Sequence, residues 1–386
     1  MIIYITSGCE TSAVARRVSH AFPRAETHIV EDSENARRAL YDRESGSEKH
    51  NIFITRSRGR HFKVCPGTES PYICCLYWTL QQSSNCPFDC TYCILQYYLN
   101  DPLLTVYADM EALKSMVRER IRREPARIFR VGTGELADSL ALDPVTRAGP
   151  ELIRFAAQER NMLLELKTKS AQVDHLMGIA HRGKTVISWS LNPSPLIREH
   201  EHHTAALSER LKAMKKVQEA GYMLGVHFDP VLWTPDWREH YDGVARELFK
   251  YADPARIAWI SMGSLRFPPE MRDRIERKFP GTDLLNAEMV RGADNKSRYV
   301  KPLRIRMYRH LYKALKKYGG EDLFIYFCME DAAVWRSVTG SAPDSDQHLD
   351  YCFAEYLTGK FPELQLPAPR LREYRDFHTR RSWEKD

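Results

Sequence analysis

The sequence predicts an α/β protein whose body is an open barrel of six strand–helix units. From about residue 70 to residue 279, short apolar runs alternate with amphipathic segments of helical length, and this alternation is typical of parallel βα units. Glycine and polar residues follow the apolar runs, at the strand ends where parallel barrels carry their chemistry. The predicted strands are 72–77, 127–132, 163–167, 185–191, 222–228 and 257–262, and the predicted helices are 109–122, 144–160, 171–181, 204–220, 236–251 and 268–279.

The segments on either side of these units differ from them in pattern. Residues 1–60 contain an apolar run, a helical stretch and the run HNIFITRS, so they predict a small N-terminal α/β extension. The barrel domain is assigned to residues 61–330. After residue 280 its rhythm gives way to a basic helix at 302–318 and an apolar strand at 323–328. Residues 331–386 are predicted to form a C-terminal tail, because their periodicity is weaker and Pro, Arg and Glu are frequent.

The composition indicates an ordinary globular protein. Hydrophobic residues make up 43% of the 386 residues and charged residues 28%. No run of about 18 apolar residues is present, so no membrane span is expected. The chain starts MIIYITSGCE, without a basic region before its apolar stretch, which argues against a secretory signal. We therefore expect a cytoplasmic protein.

Three cysteines in the run NCPFDCTYCILQ are the most informative feature of the sequence. Cys86, Cys90 and Cys93 have the spacing C-x3-C-x2-C. A cubane cluster has four irons, so three clustered thiolates with no evident fourth leave one iron open to another ligand. The alternatives are a zinc site that lacks a ligand, or three unrelated buried thiols. Zinc favours paired C-x2-C units, and only Cys90 with Cys93 forms one, so the spacing favours a 4Fe-4S cluster.

This loop, with Tyr92 just before its last cysteine, resembles the radical S-adenosylmethionine enzymes, in which the open iron of a three-cysteine cluster chelates that cofactor. The stretches 63–75, 85–100, 165–176 and 184–193 resemble the spore photoproduct lyase branch and its DNA repair photolyase-like relatives. The resemblance implies a partial (β/α)6 TIM-like barrel. It also implies a lyase that generates a 5′-deoxyadenosyl radical and acts on damaged thymine dimers in DNA. Its cofactors would be a 4Fe-4S cluster and S-adenosylmethionine, and its electron donor a protein such as flavodoxin or ferredoxin.

The same resemblance implies a set of cofactor contacts. A glycine-rich turn would let the backbone approach the methionine amino group, and a carboxylate beside it would pair with that ammonium. A lysine would offer a point charge to the methionine carboxylate, and a serine hydroxyl would serve the ribose or the carboxylate. The alternative is a tight βα turn for the glycine-rich segment, and a capping or surface position for the lysine and the serine. The implied contacts are Tyr92, Gly134, Glu135, Lys169, Ser190 and, less directly, Asn192.

The sequence departs from the family pattern at two positions. A collinear alignment places Glu135 where the family has a cysteine that gives a hydrogen atom to the repaired thymine, and a carboxylate cannot do this. Ile94 stands where the family has a relay tyrosine. Another thiol or phenol could act instead, with Cys328, Tyr97 and Tyr98 as candidates. Alternatively, 5′-deoxyadenosine could return the hydrogen directly, or the substrate could be a different one.

A basic segment follows the barrel. Residues 291–317 contain ten Lys or Arg and one acid, Asp294, with tyrosines between them. Such surfaces bind phosphate backbones because they release condensed counterions. The candidate nucleic-acid contacts are Arg291, Arg298, Lys301 and Arg304. The alternative is a solvated face of an amphipathic helix, which the apolar residues within 302–318 favour for part of the segment.

Other functions stay open on the sequence alone. One is radical modification of a peptide or a small metabolite, and another is a nucleic-acid-binding protein with a structural cluster. An auxiliary cluster held by Cys65, Cys74 and Cys75 would have poor geometry, because two of these residues are adjacent. An oxidation-sensitive cluster suits a reducing compartment, so all cysteines outside the cluster loop are expected to be free thiols.

Overall fold

A curled eight-stranded sheet forms the centre of this computed structural model, which describes residues 1–41, 48–67, 70–99 and 102–375. The strands are β1 Ile2–Thr6, β2 Glu26–Val30, β3 Ile52–Thr55, β4 Phe62–Val64, β5 Tyr72–Ile73, β6 Trp78–Leu80, β7 Ser83–Ser84, β8 Asp89–Cys90, β9 Leu104–Tyr107, β10 Phe129–Gly132, β11 Met162–Thr168, β12 Thr185–Ser190, β13 Glu201–His202, β14 Met223–Val231, β15 Ile257–Ser264, β16 Arg266–Phe267, β17 Met289–Arg291, β18 Ser297–Tyr299, β19 Ile325–Phe327 and β20 Glu330–Asp331.

Along the chain, most of the helices connect one strand of this sheet to the next. They are α1 Ala13–Ala21, α2 Ser33–Tyr41, α3 Leu95–Tyr98, α4 Met110–Arg123, α5 Asp143–Thr146, α6 Ala148–Ala156, α7 Ser194–His200, α8 Leu207–Glu219, α9 Trp237–Tyr251, α10 Met271–Lys278, α11 Lys301–Gly319, α12 Ala332–Thr339, α13 Asp346–Lys360 and α14 Leu371–Arg375. Short 3-10 turns occur at Glu48–His50, Asp174–Leu176, Pro254–Arg256 and Pro362–Leu364. None of the helices in the described ranges is long and apolar enough to cross a membrane.

The central sheet confirms the predicted partial barrel. Its strand order is β19-β15-β14-β12-β11-β10-β6-β4, and the strands are parallel except for β4, which runs antiparallel to β6 at one edge. Strands β12 and β15 are buried along their whole length, as expected for a parallel sheet covered on both faces. Five of the six predicted strands are therefore present, and β19 adds another at the opposite edge.

The first predicted strand, 72–77, is wrong. The barrel strand is Trp78–Leu80, whereas Tyr72 and Ile73 pair antiparallel with Asp331 and Glu330. The predicted helix at 171–181 is also wrong, because only the 3-10 turn Asp174–Leu176 forms there. Gly178 follows this turn with a φ of 72°, a left-handed conformation that does not continue a helix.

A second sheet, with the order β2-β1-β3-β9-β7, forms the N-terminal unit. Its first three strands come from the predicted extension at residues 1–60. Its other two come from later in the chain, since β9 pairs parallel with β3 and β7 pairs antiparallel with β9. Because β7 and β9 precede and follow the cysteine loop at residues 86–93, this sheet holds the segment that carries the loop at both ends.

Residues 331–375, predicted as a tail, contain three helices. Helix α13 contributes Phe353 and Leu357 to the main hydrophobic core. Its buried Asp350 lies 2.6 Å from Nη2 of Arg127 and 3.0 Å from Nη2 of Arg130. These ion pairs fasten the helix to the start of β10. The remaining residues of the predicted tail, 376–386, lie outside the described residues.

Candidate active site

A cavity of about 340 Å³ lies where the barrel strands end. It meets the carboxyl ends of β10, β11, β12, β14, β15 and β19, the edge at which parallel barrels place their functional groups. Most of the residues singled out in the sequence share its wall. These are Cys86, Cys90, Tyr92, Cys93, Tyr98, Gly134, Glu135, Lys169, Ser190 and Cys328.

The three cysteines of the loop lie together on this wall, with Cys86 and Cys90 buried and Cys93 half-buried. Cys90 belongs to β8, which pairs with β13, and the amide of Cys93 bonds to the carbonyl of Cys90. Among the described residues, the three sulfurs do not form a group within 4.8 Å of one another. A single zinc ion binds all of its thiolates at about 2.3 Å, which brings them closer together than this, whereas in a multi-iron cluster each thiolate binds a different iron.

Tyr92 is fixed by a buried polar network. Its hydroxyl donates a hydrogen bond to Glu201, whose other oxygen lies 2.6 Å from Nη2 of Arg210. Asn192 donates to the same carboxylate at 2.9 Å and accepts from the hydroxyl of Tyr241 at 2.7 Å. Burial raises the pKa of Glu201, but Arg210 and Lys169 more than offset this, and the net pKa is lowered. The network therefore contains a carboxylate and holds Tyr92 in one orientation.

Asn192 belongs to this network and is outside the described cavity lining. The described part of the cavity lining does not include it, and its amide already bonds to Glu201 and Tyr241. The direct cofactor contact of Asn192 stays a prediction, without support from the described lining. Glu201 and Arg210 were not predicted, because a Glu in HEHHT and an Arg inside an amphipathic helix carry no local signal of burial.

Lys169 places a cationic group in the cavity. Its Nζ lies 5.6 Å from the centre of the Tyr92 ring, and its backbone amide donates to Oδ2 of Asp138 at 2.7 Å. Burial lowers the pKa of Lys169, but Glu201 and Cys90 more than offset this and the pKa is raised. On the neighbouring turn, a Cβ at Gly134 would lie 3.0 Å from Cβ of Lys167, so the close approach of these two segments favours glycine.

Two further thiols line the cavity. Cys65 follows β4 and Cys328 follows β19, so each lies just after an edge strand of the sheet. The Cys65 thiol donates a long hydrogen bond of 3.9 Å to Oε2 of Glu135. Nη2 of Arg266 donates to Sγ of Cys328 at 3.3 Å. Burial raises the pKa of both thiols, so both are protonated at neutral pH.

Cys65 was missed as a cavity residue, although it lies in one of the four stretches that carry the family resemblance.

The two tyrosines that follow the cysteine loop have different surroundings. Tyr98 lines the cavity and is 50% exposed. Tyr97 is outside the described cavity lining, and its ring packs against the guanidinium of Arg274 at 5.3 Å. The proposal of Tyr97 as a catalytic residue therefore loses its geometric support.

A family model described as spore photoproduct lyase matches residues 76–319, more than half of the chain. The chain belongs to the spore photoproduct lyase family. Spore photoproduct lyase from Geobacillus sp. (strain Y412MC61) is 27% identical over 210 residues, which are 54% of this chain and 62% of that protein. The enzyme from Bacillus subtilis (strain 168) is 27% identical over 209 residues, or 52% and 60%. The chain thus matches less than two thirds of the length of these relatives.

Solved structures of the spore photoproduct lyase family share the fold. A spore photoproduct lyase complexed with dinucleoside spore photoproduct has a TM-score of 0.73 and 21% identity, covering 84% of this chain and 98% of that one. A mutant with bound AdoMet and dinucleoside spore photoproduct has a TM-score of 0.72 and 20% identity, with the same coverage. The match extends over the half-barrel and confirms the predicted fold class.

The predicted nucleic-acid contacts in the basic segment of this spore photoproduct lyase family member need correction. Arg298 and Arg304 are only 1% and 2% exposed, and each is held by an ion pair, Arg298 with Asp294 at 2.6 Å and Arg304 with Glu330 at 2.9 Å. Buried charges need such partners, so these two residues support the fold and cannot contact DNA.

The remaining two candidates of the segment are accessible. Lys301 is half-exposed and pairs with Asp331 at 2.7 Å. Arg291 lies exposed on β17. Lys296, between β17 and β18, lines the cavity and was missed because the sequence gives equal weight to every cation in the run.

Proposed function

We propose that this chain is a radical S-adenosylmethionine enzyme of the spore photoproduct lyase type. One observation carries the proposal: the thiols of Cys86, Cys90 and Cys93 share a single cavity wall with Tyr92 and Lys169. The donor set suits a 4Fe-4S cluster, since it offers three thiolates and leaves space beside them for a further ligand. When bound, the cluster would supply the electron that converts S-adenosylmethionine into a 5′-deoxyadenosyl radical able to take hydrogen from a substrate.

The chain's own residues would bind and orient the cofactors. The three thiols would lose their protons to hold the irons. Lys169, cationic in its buried position, would pair with the methionine carboxylate. The turn at Gly134 allows the backbone to approach a ligand closely, and Glu135 beside it would pair with the methionine ammonium. Ser190, buried on the same wall, would bond to the ribose or the carboxylate.

The proposed substrate is a damaged thymine dimer in DNA. This rests on the family and on the dinucleoside spore photoproduct that the related structures hold. An enzyme that acts on a base inside DNA must take it out of the stack, which costs less for a damaged step. Lys296 on the cavity wall and Arg291 on the adjacent strand are the cations placed to meet the phosphates beside such a lesion.

The hydrogen donor would be one of the two further thiols that line the cavity. Cys65 and Cys328 both carry their hydrogen at neutral pH, the form that a hydrogen-atom donor requires. Cys65 lies against Glu135, the residue at the family's cysteine position, so its sulfur reaches the same end of the cavity from another segment. Tyr98 is a phenol on the same wall and could serve as a relay.

The proposed setting is the cytoplasm, with a flavodoxin or a ferredoxin as the electron donor. All nine cysteines are free thiols, as a reducing compartment would keep them.

The test is anaerobic reconstitution with iron and sulfide, followed by assay for 5′-deoxyadenosine with dithionite as reductant. Wild type should develop an iron–sulfur absorption band and release 5′-deoxyadenosine. Cys90→Ala should lose both, whereas Cys352→Ala, a matched cysteine on α13, should retain both. Zinc in place of iron in the purified wild type, or no cofactor cleavage, would overturn the proposal. Conversion of dinucleoside spore photoproduct to thymines then tests the substrate.

A second candidate is radical modification of a different substrate. Glu135 and Ile94 favour it, because the family's hydrogen-return residues are absent at these positions. It predicts release of 5′-deoxyadenosine without conversion of dinucleoside spore photoproduct, and ultraviolet-irradiated DNA would then give no product either.

A further inference from the structure

A second cavity reaches the cysteine loop. It encloses about 510 Å³, and the same three cysteines form part of its wall. Tyr92, Lys169 and Gly134, the residues proposed to bind S-adenosylmethionine, line the first cavity and are outside the described lining of the second. The cluster position is therefore accessible from a side that the cofactor and substrate do not occupy.

The wall of this second cavity is basic. Its described lining contains four cations, Lys49, Arg274, Arg277 and Lys278, and one acid, Asp89. Asp89 lies 2.8 Å from Nζ of Lys49 and 2.5 Å from Nζ of Lys278, so a single carboxylate is shared by two ammonium groups. We call the surface formed by these four cations the basic face.

The two arginines of the basic face lie on helix α10 and are exposed. Arg274 donates to the carbonyl of Gln96 at 2.8 Å, and Arg277 to the carbonyl of Asp273 at 3.2 Å. Neither has a carboxylate within ion-pair distance in the described residues. Among the described residues their positive charge is therefore not neutralised by an ion pair, and it projects to solvent beside the cysteine loop.

We propose that the basic face is the docking surface for a small acidic one-electron carrier protein. The inference rests on the proposed function, because only a redox cluster at Cys86, Cys90 and Cys93 needs an electron from outside. Electron transfer weakens steeply with distance, so the carrier must dock where the cluster comes nearest to the surface. The carrier loses one electron and the cluster gains it. No bond is formed or broken, and no proton is transferred.

Charge favours such a partner over a neutral one. A positive surface next to the redox centre attracts an acidic protein over a distance of about one Debye length, roughly 8–10 Å at physiological ionic strength. It also orients that protein before contact, which raises the association rate more than the affinity. Docking at the second cavity leaves the first free for substrate, so reduction and substrate binding do not compete.

The experiment compares two double variants with the same change in net charge. Arg274→Glu/Arg277→Glu reverses the basic face. Lys212→Glu/Arg246→Glu reverses two exposed cations on α8 and α9, outside both described cavity linings, and is the control. Binding of a purified flavodoxin to the reconstituted holoenzyme is measured by calorimetry at 50 and 300 mM salt. Cofactor cleavage is measured with reduced flavodoxin and, separately, with dithionite.

The expected result is that the basic-face variant binds flavodoxin at least about tenfold more weakly at low salt, with a smaller difference at high salt. Flavodoxin-driven cleavage should fall while dithionite-driven cleavage and the iron content stay at the wild-type level, and the control should behave as wild type. Equal flavodoxin binding by both variants would overturn the inference.

Two further outcomes separate the alternatives. Loss of duplex DNA binding with flavodoxin binding intact would also overturn the inference, and would make the basic face a nucleic-acid surface. Absence of dithionite-driven cleavage in wild type would instead refute the proposed function, and calorimetry would still report on docking independently.

Discussion

The phenol of Tyr92, between two cysteines of the loop, donates a hydrogen bond to the buried carboxylate of Glu201. Glu201 is also the partner of the buried Arg210. We expect Glu201→Ala to lower the free energy of unfolding by about 3–5 kcal/mol, because it leaves Arg210 charged and unpaired. Urea denaturation measures this. Tyr92→Phe removes only one hydrogen bond and should cost about 1 kcal/mol. A Glu201→Ala loss no larger than that of Tyr92→Phe would contradict the described network.

We expect Glu165 to make part of the free energy of unfolding depend on pH in the acidic range. Its carboxylate accepts hydrogen bonds from Ser188 at 2.5 Å and Trp259 at 3.1 Å, and lies 2.7 Å from Nε2 of His227. Burial raises the pKa of Glu165, but His227 and its other neighbours outweigh this and lower the pKa from 4.5 to about 2.

Because the pKa of Glu165 is depressed in the folded state, the stabilisation by its carboxylate is complete above pH 4.5 and disappears as the pH falls towards 2. It amounts to about 3 kcal/mol. The urea midpoint of wild type should fall across this window by more than that of Glu165→Gln, which lacks the titrating group. Parallel pH profiles of the two proteins would show that Glu165 is not the group responsible.

Replacing a buried cation of the basic segment should lower the stability of the fold, whereas replacing an accessible one should change the salt dependence of DNA binding. Arg304→Ala should destabilise the fold by about 3–5 kcal/mol, since Glu330 loses its partner. The slope of DNA affinity against salt should be unchanged in that variant. Lys296→Ala should leave the stability near wild type and reduce the slope by about one phosphate contact. A reduced slope in Arg304→Ala alone would reverse this assignment.

The cavity-lining thiols of Cys65 and Cys328 give a direct test of the hydrogen donor. Replacing the donating cysteine by serine should slow conversion of dinucleoside spore photoproduct at least about tenfold, with 5′-deoxyadenosine release retained. We expect Cys65→Ser to show this effect, because Cys65 contacts Glu135. Cys328→Ser tests the other thiol, and Tyr97→Phe is the control because Tyr97 packs on Arg274. Full conversion by a Cys65→Ser/Cys328→Ser double variant would exclude both thiols as the donor.

The features that depend on neighbouring residues in the sequence could be predicted from it. The cysteine spacing, the alternation of strands and helices, and polar residues at strand ends each depend on neighbouring residues, and the structure brings these together at one cavity. Strand 72–77 failed because the apolar run YICCLYW contains two short strands that pair with different partners. The choice between them is made by residues 330–331, which no local pattern reveals.

Charged residues were the least predictable part of the site. A sequence shows the sign of a charge but not its burial, so Arg298 and Arg304 appeared equivalent to Arg291. Glu201, Arg210 and Lys296 owe their roles to contacts between distant segments. Cys65 was predictable only through the stretch that carries the family resemblance, since a lone cysteine has no spacing pattern.

The contacts that join Asp350 to Arg127 and Arg130 span more than 200 residues of chain, as does the pairing of Tyr72 with Asp331. During synthesis, the cysteine loop and its flanking strands leave the ribosome long before these partners do. The contacts of Arg127 and Arg130 with Asp350 therefore form only after residue 350 has emerged, and nascent chains that stall before it leave these buried arginines without that counter-ion. Long-range contacts of this kind slow folding, so the synthesis of residues 330–350 sets the earliest point at which this part of the fold is complete.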